Sequence, residues 1–221
     1  MPPLETAVVG GIAAILLAGG RGSRLGGVDK AVLRHNGRTL LNQWTTALSR
    51  RRFPTVVVGP DALGDYLPES VVQVREDPPF SGPAAALWTG ARALERDLTA
   101  RPLHCDTERA VEPPEYVVLL AVDVVDPEAL LQWLVARIAE APADHAVVPE
   151  DHTGRHQLLA SAVPYAQLVD RARALQATEV AGAPARVLLS GIPAVNPVMP
   201  AGLGEDVDTP ADAERLGIHL D

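Results

Sequence analysis

The chain has 221 residues, of which 47% are hydrophobic and 21% are charged, a balance typical of a globular protein with one substantial core. Its formal net charge of −9 argues against a nucleic-acid binder, because such proteins need a positive field to displace counterions. The single cysteine, Cys105, excludes an internal disulfide, and the apolar stretch at residues 7–18 is too short to span a membrane. We therefore expect a cytoplasmic protein that engages neither nucleic acid nor membrane.

Short apolar runs alternate with helical patterns along the chain. Strands are predicted at residues 12–18, 54–59, 71–75, 116–122, 145–149 and 158–163, with a late edge strand at 192–198. Helices are predicted at residues 38–51, 82–98, 165–178 and 184–189, after Pro127, and from Pro210 behind a Thr209 cap. This alternation predicts an α/β protein with three αβα layers and a mostly parallel central sheet, whose ligands lie at the carboxyl ends of the strands.

The same pattern indicates the domain organisation. We expect an N-terminal extension at residues 1–11 and a single domain at residues 12–221. A polar, proline-bearing and aperiodic stretch at about residues 99–115 interrupts that domain. Because it carries no stripe of core residues, we expect this stretch to be a surface insert.

The first predicted strand runs into a loop of glycines and cations at residues 17–30. Glycine lets the backbone approach an anion closely and point several N–H groups at it. The loop does not match a dinucleotide fingerprint, because Leu25 stands where the third glycine belongs, nor a P-loop, because Lys30 follows Asp29. Arg24 and Lys30 remain as fixed cations, so the loop predicts a site for a nucleoside triphosphate.

Two aspartates that follow predicted elements are candidates for a metal site. Asp123 ends the most continuous apolar run, where a carboxylate is costly unless it is paired or ligates a cation. Oxygen ligands suit Mg²⁺, although Asp123 also fits a turn or helix cap and Asp126 is a rival ligand. Asp208 lies in the segment D-V-D-T-P, which fits either a second metal-site residue or a helix start capped by Thr209.

Several segments together resemble one enzyme family. They are L-A-G-G at residues 17–20, Arg24, G-G-V-D-K at 26–30, R-E-D at 75–77 and S-G-P-A-A at 81–85. They are similar to the molybdenum cofactor guanylyltransferases of the sugar-nucleotidyltransferase-like superfamily. The resemblance implies a Rossmann-like nucleotidyltransferase fold of the GT-A-like type. It also implies an Mg²⁺-dependent enzyme that moves GMP from GTP to the phosphate of molybdopterin or molybdenum cofactor and releases pyrophosphate.

The resemblance also implies roles for particular residues. The nucleotide-binding residues would be Leu17, Ala18, Gly19, Gly20, Lys30, Asp77 and Asp123. The catalytic residues would be Lys30, Arg24 and Asp123, and the metal ligands would be Asp123 and Asp208. Within the nucleotide, guanine and ribose would lie against Leu17, Ala18 and Gly19. Residues 154–157 would bind the acceptor, and Arg155 either holds the pterin phosphate or is an exposed arginine in a turn.

Other interpretations of these residues stay open. Gly59 and Pro60 stand where the guanylyltransferases commonly carry an asparagine, so a cytidylyltransferase for the same pterin or a guanylyltransferase for a phospho-acid is an alternative. The family's proline after the strand-terminal aspartate is displaced here to Pro127, which favours a third alternative, a non-catalytic nucleotide-binding accessory protein of cofactor biosynthesis. We expect proteins of the cofactor pathway and molybdoenzymes as partners.

Overall fold

A computed structural model describes residues 11–20, 29–100 and 112–219 of the chain. The expected N-terminal extension lies outside the described residues except for Gly11, and so do Arg24 and Cys105. The expected insert is described only at its two ends, where residues 99–100 complete a helix and residues 112–115 lead into a strand.

The described residues contain ten strands in two sheets. In chain order the strands are β1 (Ile12–Leu17), β2 (Arg34–His35), β3 (Arg38–Thr39), β4 (Thr55–Val58), β5 (Val72–Val74), β6 (Tyr116–Ala121), β7 (Ala146–Val147), β8 (Ala160–Pro164), β9 (Ala194–Val195) and β10 (Ile218–His219). The central sheet has seven strands in the order β5-β4-β1-β6-β8-β7-β9, and β10-β2-β3 form a small second sheet. The sequence did not predict the small sheet, because two-residue strands carry no periodic pattern.

Six of the seven central strands run in the same direction, and β8 runs against them. The expectation of a mostly parallel sheet is therefore confirmed. From β1 the chain first builds β4 and β5 on one side and then returns to place β6 on the other. Open α/β sheets bind ligands where the strand order reverses in this way, so the fold directs the site to the carboxyl ends of β1 and β6.

Helices cover both faces of the central sheet. They are α1 (Leu40–Arg50), α2 (Pro83–Ala100), α3 (Pro127–Glu140), α4 (Tyr165–Ala174), α5 (Ala177–Val180), α6 (Arg186–Leu189) and α7 (Pro210–Arg215). Alternate residues of β1 enter opposite cores: Leu16 packs in the core that α1 and α3 share, and Ile15 packs in the core with α2 and α4. This burial on both faces explains the uninterrupted apolar run of β1 and confirms the three αβα layers.

Several predicted helices have different ends in the structure, and for two of them the local cause is visible. The helix predicted at residues 38–51 begins at Leu40, because the Thr39 side chain accepts a hydrogen bond from the Asn42 amide and caps it. The helix predicted at residues 165–178 is two helices, since α4 ends at Ala174 and Gln176 caps the short α5. No described helix is both long and apolar enough to cross a membrane.

Candidate active site

The carboxyl end of β1 opens into a cleft with a volume of about 390 Å³. The residues that end the strand and begin the glycine loop line this cleft: Leu17, Ala18, Gly19 and Gly20. The Ala18 amide donates a hydrogen bond to the Val58 carbonyl oxygen over 2.8 Å, so the neighbouring strand β4 holds the start of the loop. The structure thus brings all four glycine-loop residues expected at the nucleotide to one cleft.

Gly59 packs against the start of this loop and does not itself line the cleft. A Cβ atom at Gly59 would lie 3.2 Å from both the carbonyl carbon and the carbonyl oxygen of Ala18, and 3.0 Å from Leu63 Cδ1. Any larger residue would therefore push on the end of β1. This close backbone approach favours glycine at position 59.

Lys30 begins a short 3₁₀ turn, Lys30–Val32, after the glycine loop. Asp29 caps this turn, because its Oδ1 accepts a hydrogen bond from the Ala31 amide over 3.0 Å. Burial raises the pKa of Asp29, and the bond from the Ala31 amide opposes that rise. Asp29 therefore orients the backbone at Lys30, and both residues line the cleft.

Lys30 joins two aspartates that are far apart in the sequence. Its Nζ donates a hydrogen bond to Asp123 Oδ2 over 2.8 Å and another to Asp208 Oδ1 over 2.5 Å. Burial by itself lowers the pKa of Lys30, but the charges and hydrogen bonds of the two aspartates together outweigh burial and raise it. The ammonium group is therefore charged at neutral pH and offsets part of the negative charge of the pair.

Asp206 belongs to the same carboxylate cluster, although the sequence interpretation did not select it. Carboxylate oxygens of Asp123, Asp206 and Asp208 all lie within 4.8 Å of one another. Desolvation of the Asp206 carboxyl, and then the negative charges of the other two, raise its pKa even though much of the residue is exposed. A sequence signal was available, because residues two apart on an extended segment share one side, and the apolar Val207 separates the two aspartates. In the structure Val207 is fully buried.

Backbone pairing brings these carboxylates together. Val124 and Asp206 form an antiparallel bridge, and the Val207 amide donates to the Asp123 carbonyl oxygen over 3.2 Å. The indole Nε1 of Trp44, a fully buried residue of α1, donates to the Val124 carbonyl oxygen over 3.0 Å. These bonds connect α1, the loop after β6 and the D-V-D-T-P segment around one cluster.

The structure bears on two alternatives that the sequence left open, namely whether Asp126 or Asp208 joins the cluster and whether the D-V-D-T-P segment caps a helix. Asp126 Oδ1 accepts a hydrogen bond from the Ala129 amide over 3.0 Å and caps α3. Among the described residues, the carboxylate cluster contains Asp208 and does not contain Asp126. Thr209 caps α7 by accepting from the Asp212 amide, so the D-V-D-T-P segment starts a helix and also supplies two carboxylates.

A second cavity of about 270 Å³ adjoins the first at Asp123, which lines both. Asp206 and Arg155 also line it. Asp151 organises the turn that carries Arg155, since its Oδ1 accepts from the Thr153 amide over 2.8 Å and from the Arg155 amide over 3.1 Å. Hydrogen bonds from the Thr153 hydroxyl and from these amides hold the pKa of Asp151 well below its usual range.

One expected nucleotide-binding residue is not at the cleft. Asp77 is exposed and does not line it, whereas Glu76 and Phe80 do. Neighbouring residues of an extended segment point to opposite sides, so a match to R-E-D at residues 75–77 does not indicate which carboxylate faces a ligand. Within the described part of the chain, Glu76 lines the first cavity and does not belong to the cluster of Asp123, Asp206 and Asp208.

The carboxylate cluster has the chemistry of a divalent-metal site. Three carboxylates provide hard oxygen ligands, and the Lys30 ammonium pairs with two of them, Asp123 and Asp208. Hard divalent cations such as Mg²⁺ take oxygen ligands of this type.

Comparisons with known proteins identify the family. The family model of the MobA-like NTP transferase domain matches residues 14–191. The fold is similar to molybdopterin-guanine dinucleotide biosynthesis protein A from Archaeoglobus fulgidus, at 18% identity and a TM-score of 0.62, covering 92% of this chain and 96% of that one. No curated protein sequence matches the chain.

Two other solved structures share this fold. Rv0371c from Mycobacterium tuberculosis is 21% identical with a TM-score of 0.62, covering 93% of this chain and 97% of that one. The 2-C-methyl-D-erythritol 4-phosphate cytidylyltransferase from Thermus thermophilus is 18% identical with a TM-score of 0.56, covering 91% of this chain and 95% of that one. The family match and the shared fold show that the chain belongs to the MobA-like NTP transferase family and is a nucleotidyltransferase.

Proposed function

We propose that this nucleotidyltransferase moves GMP from GTP to the phosphate of molybdopterin or of the molybdenum cofactor and releases pyrophosphate. The observation that carries the proposal is the position of Asp123, which lines both cavities and is paired with Lys30. A nucleotide in the first cavity and an acceptor phosphate in the second would meet at this residue. The acceptor class follows the resemblance of the glycine loop and the name of the Archaeoglobus fulgidus protein.

The first cavity suits the triphosphate. The glycine loop begins at its wall, where backbone N–H groups can approach phosphate oxygens closely. An ammonium group has three N–H donors, and Lys30 directs two of them at Asp123 and Asp208. The third donor is available to a phosphate oxygen, so Lys30 would bind the triphosphate while keeping its hold on the carboxylates. Arg24 would add a second cation.

The carboxylate cluster fits Mg²⁺ as the metal of the reaction. Enzymes of this family generally use a divalent metal, and the cluster offers three carboxylates whose oxygens lie within 4.8 Å of one another. Asp123 and Asp208 would hold the ion, with Asp206 as a further oxygen ligand. Bound Mg²⁺ would offset the negative charge on the α-phosphate and on the leaving pyrophosphate.

The second cavity suits the acceptor phosphate. A phosphate is already an anionic nucleophile, so the site needs no general base and acts mainly by positioning. Arg155 lines this cavity and would orient the acceptor phosphate toward the α-phosphorus. The Asp151 carboxylate holds the backbone at Arg155 in place through the hydrogen bonds that it accepts from the Thr153 and Arg155 amides.

A second candidate is cytidylyl transfer to the same pterin. Gly59 replaces the asparagine that guanylyltransferases commonly carry, and the similar Thermus thermophilus protein is named as a cytidylyltransferase. A product analysis separates the candidates. The purified protein is incubated with Mg²⁺, metal-loaded molybdopterin and an equimolar mixture of GTP, CTP, ATP and UTP, and mass spectrometry identifies the nucleotide attached to the pterin.

The expected product is the guanine dinucleotide, with one pyrophosphate released for each product formed. Formation of the cytosine dinucleotide would instead support the second candidate and contradict the proposal. Binding of GTP with no dinucleotide of any kind would instead favour the accessory protein. In the expected case, proteins of the cofactor pathway and molybdoenzymes would receive the product.

A further inference from the structure

Part of the cleft wall is formed by a half-buried carboxylate and an exposed aromatic ring. Glu76 and Phe80 line the cleft, and Phe80 is 51% exposed. The Phe80 amide donates to Glu76 Oε1 over 3.0 Å, and the Arg75 guanidinium carbon lies 5.7 Å from the centre of the Phe80 ring. Phe80 adopts φ = 62°, which is uncommon for a bulky side chain. The local structure thus holds an apolar ring and a carboxylate next to each other in the nucleotide cleft.

The Glu76 carboxylate has unused capacity as an acceptor. Within the described part of the chain, the Phe80 amide is its one hydrogen-bond donor. An ionised carboxylate offers about four acceptor positions and no donor, so most of this capacity is available to a ligand. Glu76 therefore favours a ligand edge made of donors and disfavours one that presents acceptors.

Guanine differs from the other bases in this respect. Its pairing edge presents two neighbouring donors, the N1–H and the 2-amino group, which match the two oxygens of a carboxylate. Adenine and cytosine each place an acceptor nitrogen beside their amino group, and uracil places its single N–H between two carbonyl oxygens. A carboxylate that meets any of these three bases faces at least one acceptor.

We propose that Glu76 selects guanine by accepting hydrogen bonds from its N1–H and 2-amino groups, while Phe80 stacks on the face of the base. The inference rests on the proposed function, because the triphosphate of the same nucleotide lies at Lys30. Stacking is available to every base, so Phe80 contributes affinity and Glu76 contributes discrimination. Base choice then belongs to Glu76 and not to Asp77, which is exposed and does not line the cleft.

Binding measurements with GTP and inosine triphosphate test this assignment, because inosine lacks the 2-amino group and keeps N1–H. Dissociation constants are measured with Mg²⁺ for the natural protein, Glu76→Gln and Asp77→Asn. We expect Glu76→Gln to weaken GTP on the order of 10- to 100-fold and to reduce the preference for GTP over inosine triphosphate. Gln keeps an oxygen for the Phe80 amide, so the loop is expected to stay folded, which the melting temperature checks.

A matched control is Glu69→Gln, the same change at an exposed carboxylate that does not line the cleft. It is expected to leave both dissociation constants within about twofold, since changes to surface charge away from a ligand have small effects. Phe80→Ala is expected to weaken GTP and inosine triphosphate on the order of tenfold each and to leave their ratio unchanged, because stacking does not involve the 2-amino group.

Two outcomes would overturn the inference. A GTP preference that survives Glu76→Gln, or one that is lost in Asp77→Asn instead, would remove Glu76 as the selecting residue and leave the proposed function intact. A natural protein that prefers CTP would overturn guanylyl transfer together with this assignment. Selective GTP binding that depends on Glu76 would support the inference even if no GMP reached molybdopterin. The failure of this inference is therefore distinguishable from the failure of the proposed function.

Discussion

At the scale of single residues, Lys30 and the aspartates around it form a charged cluster that can bind a cation. One ammonium group contacts Asp123 and Asp208, and Asp206 adds a third carboxylate within 4.8 Å. The raised pKa of Asp206 reflects both the desolvation of its carboxyl and the repulsion from its neighbours. Binding a divalent cation would relieve this repulsion.

Asp123→Asn tests the central carboxylate. The amide keeps the shape of the side chain but removes its negative charge, so we expect the rate of the proposed GMP transfer to fall on the order of 10²- to 10³-fold. Pyrophosphate release with GTP and molybdopterin measures this rate. Asp126→Asn is the comparison, because asparagine also caps helices well and Asp126 lies outside the cluster. Equal losses in the two variants would contradict the assignment of Asp123.

At the scale of elements, the turn at residues 151–155 is organised by one carboxylate. The Asp151 carboxylate accepts hydrogen bonds from Thr153, Arg155 and Gln157. These bonds lower its pKa, so the charged carboxylate stabilises the folded turn at any pH above its ordinary value of 3.8. This stabilisation is lost as the pH falls through the lowered value of the folded protein.

Asp151→Ala removes these bonds and frees the turn that carries Arg155. We expect the KM for the proposed acceptor, molybdopterin, to rise on the order of tenfold, because its phosphate would lose a positioned cation, while the dissociation constant of GTP stays unchanged. The difference in stability from the natural protein should be constant near neutral pH and shrink only in acid below pH 3.8. His152→Ala is the control, since His152 lies in the same turn and makes no hydrogen bond with the described residues. A matching rise in the KM for His152→Ala would argue against a specific role of Asp151.

At the scale of the whole molecule, stability depends on how closely the helix layers approach the sheet. α2 lies so near β1 and β4 that a Cβ atom at Gly90 would be 2.6 Å from Ile15 Cγ2 and 3.0 Å from Val58 Cγ2. Both contacts involve β-branched side chains, whose χ1 angles are stiff. Glycine at this position is therefore a packing requirement, although it weakens the helix itself.

Gly90→Ala measures this requirement. Overpacking typically costs about 1–3 kcal/mol, and the 2.6 Å approach to Ile15 places this change in the upper part of that range, at about 2–3 kcal/mol. The better helix propensity of alanine returns about 1 kcal/mol. We expect the free energy of unfolding to fall by roughly 1–2 kcal/mol and the melting temperature by roughly 2–8 °C. Thr89→Ala, one residue earlier in α2, controls for helix propensity alone. A melting temperature that is unchanged or higher in Gly90→Ala would show that the two layers have room for a methyl group.

The sequence by itself determined the fold class, the order of the main elements, the family, and Lys30 and Asp123 as site candidates. These follow from local signals, because apolar periodicity reports burial and the length of the glycine-loop motif makes it specific. The partnership of Asp206 with Asp208, the capping role of Asp126 and the place of Glu76 on the cleft wall were decided only in the tertiary structure. Each depends on which face of an extended segment contacts a strand or turn that is distant in the sequence. The local sequence around a residue does not carry that information.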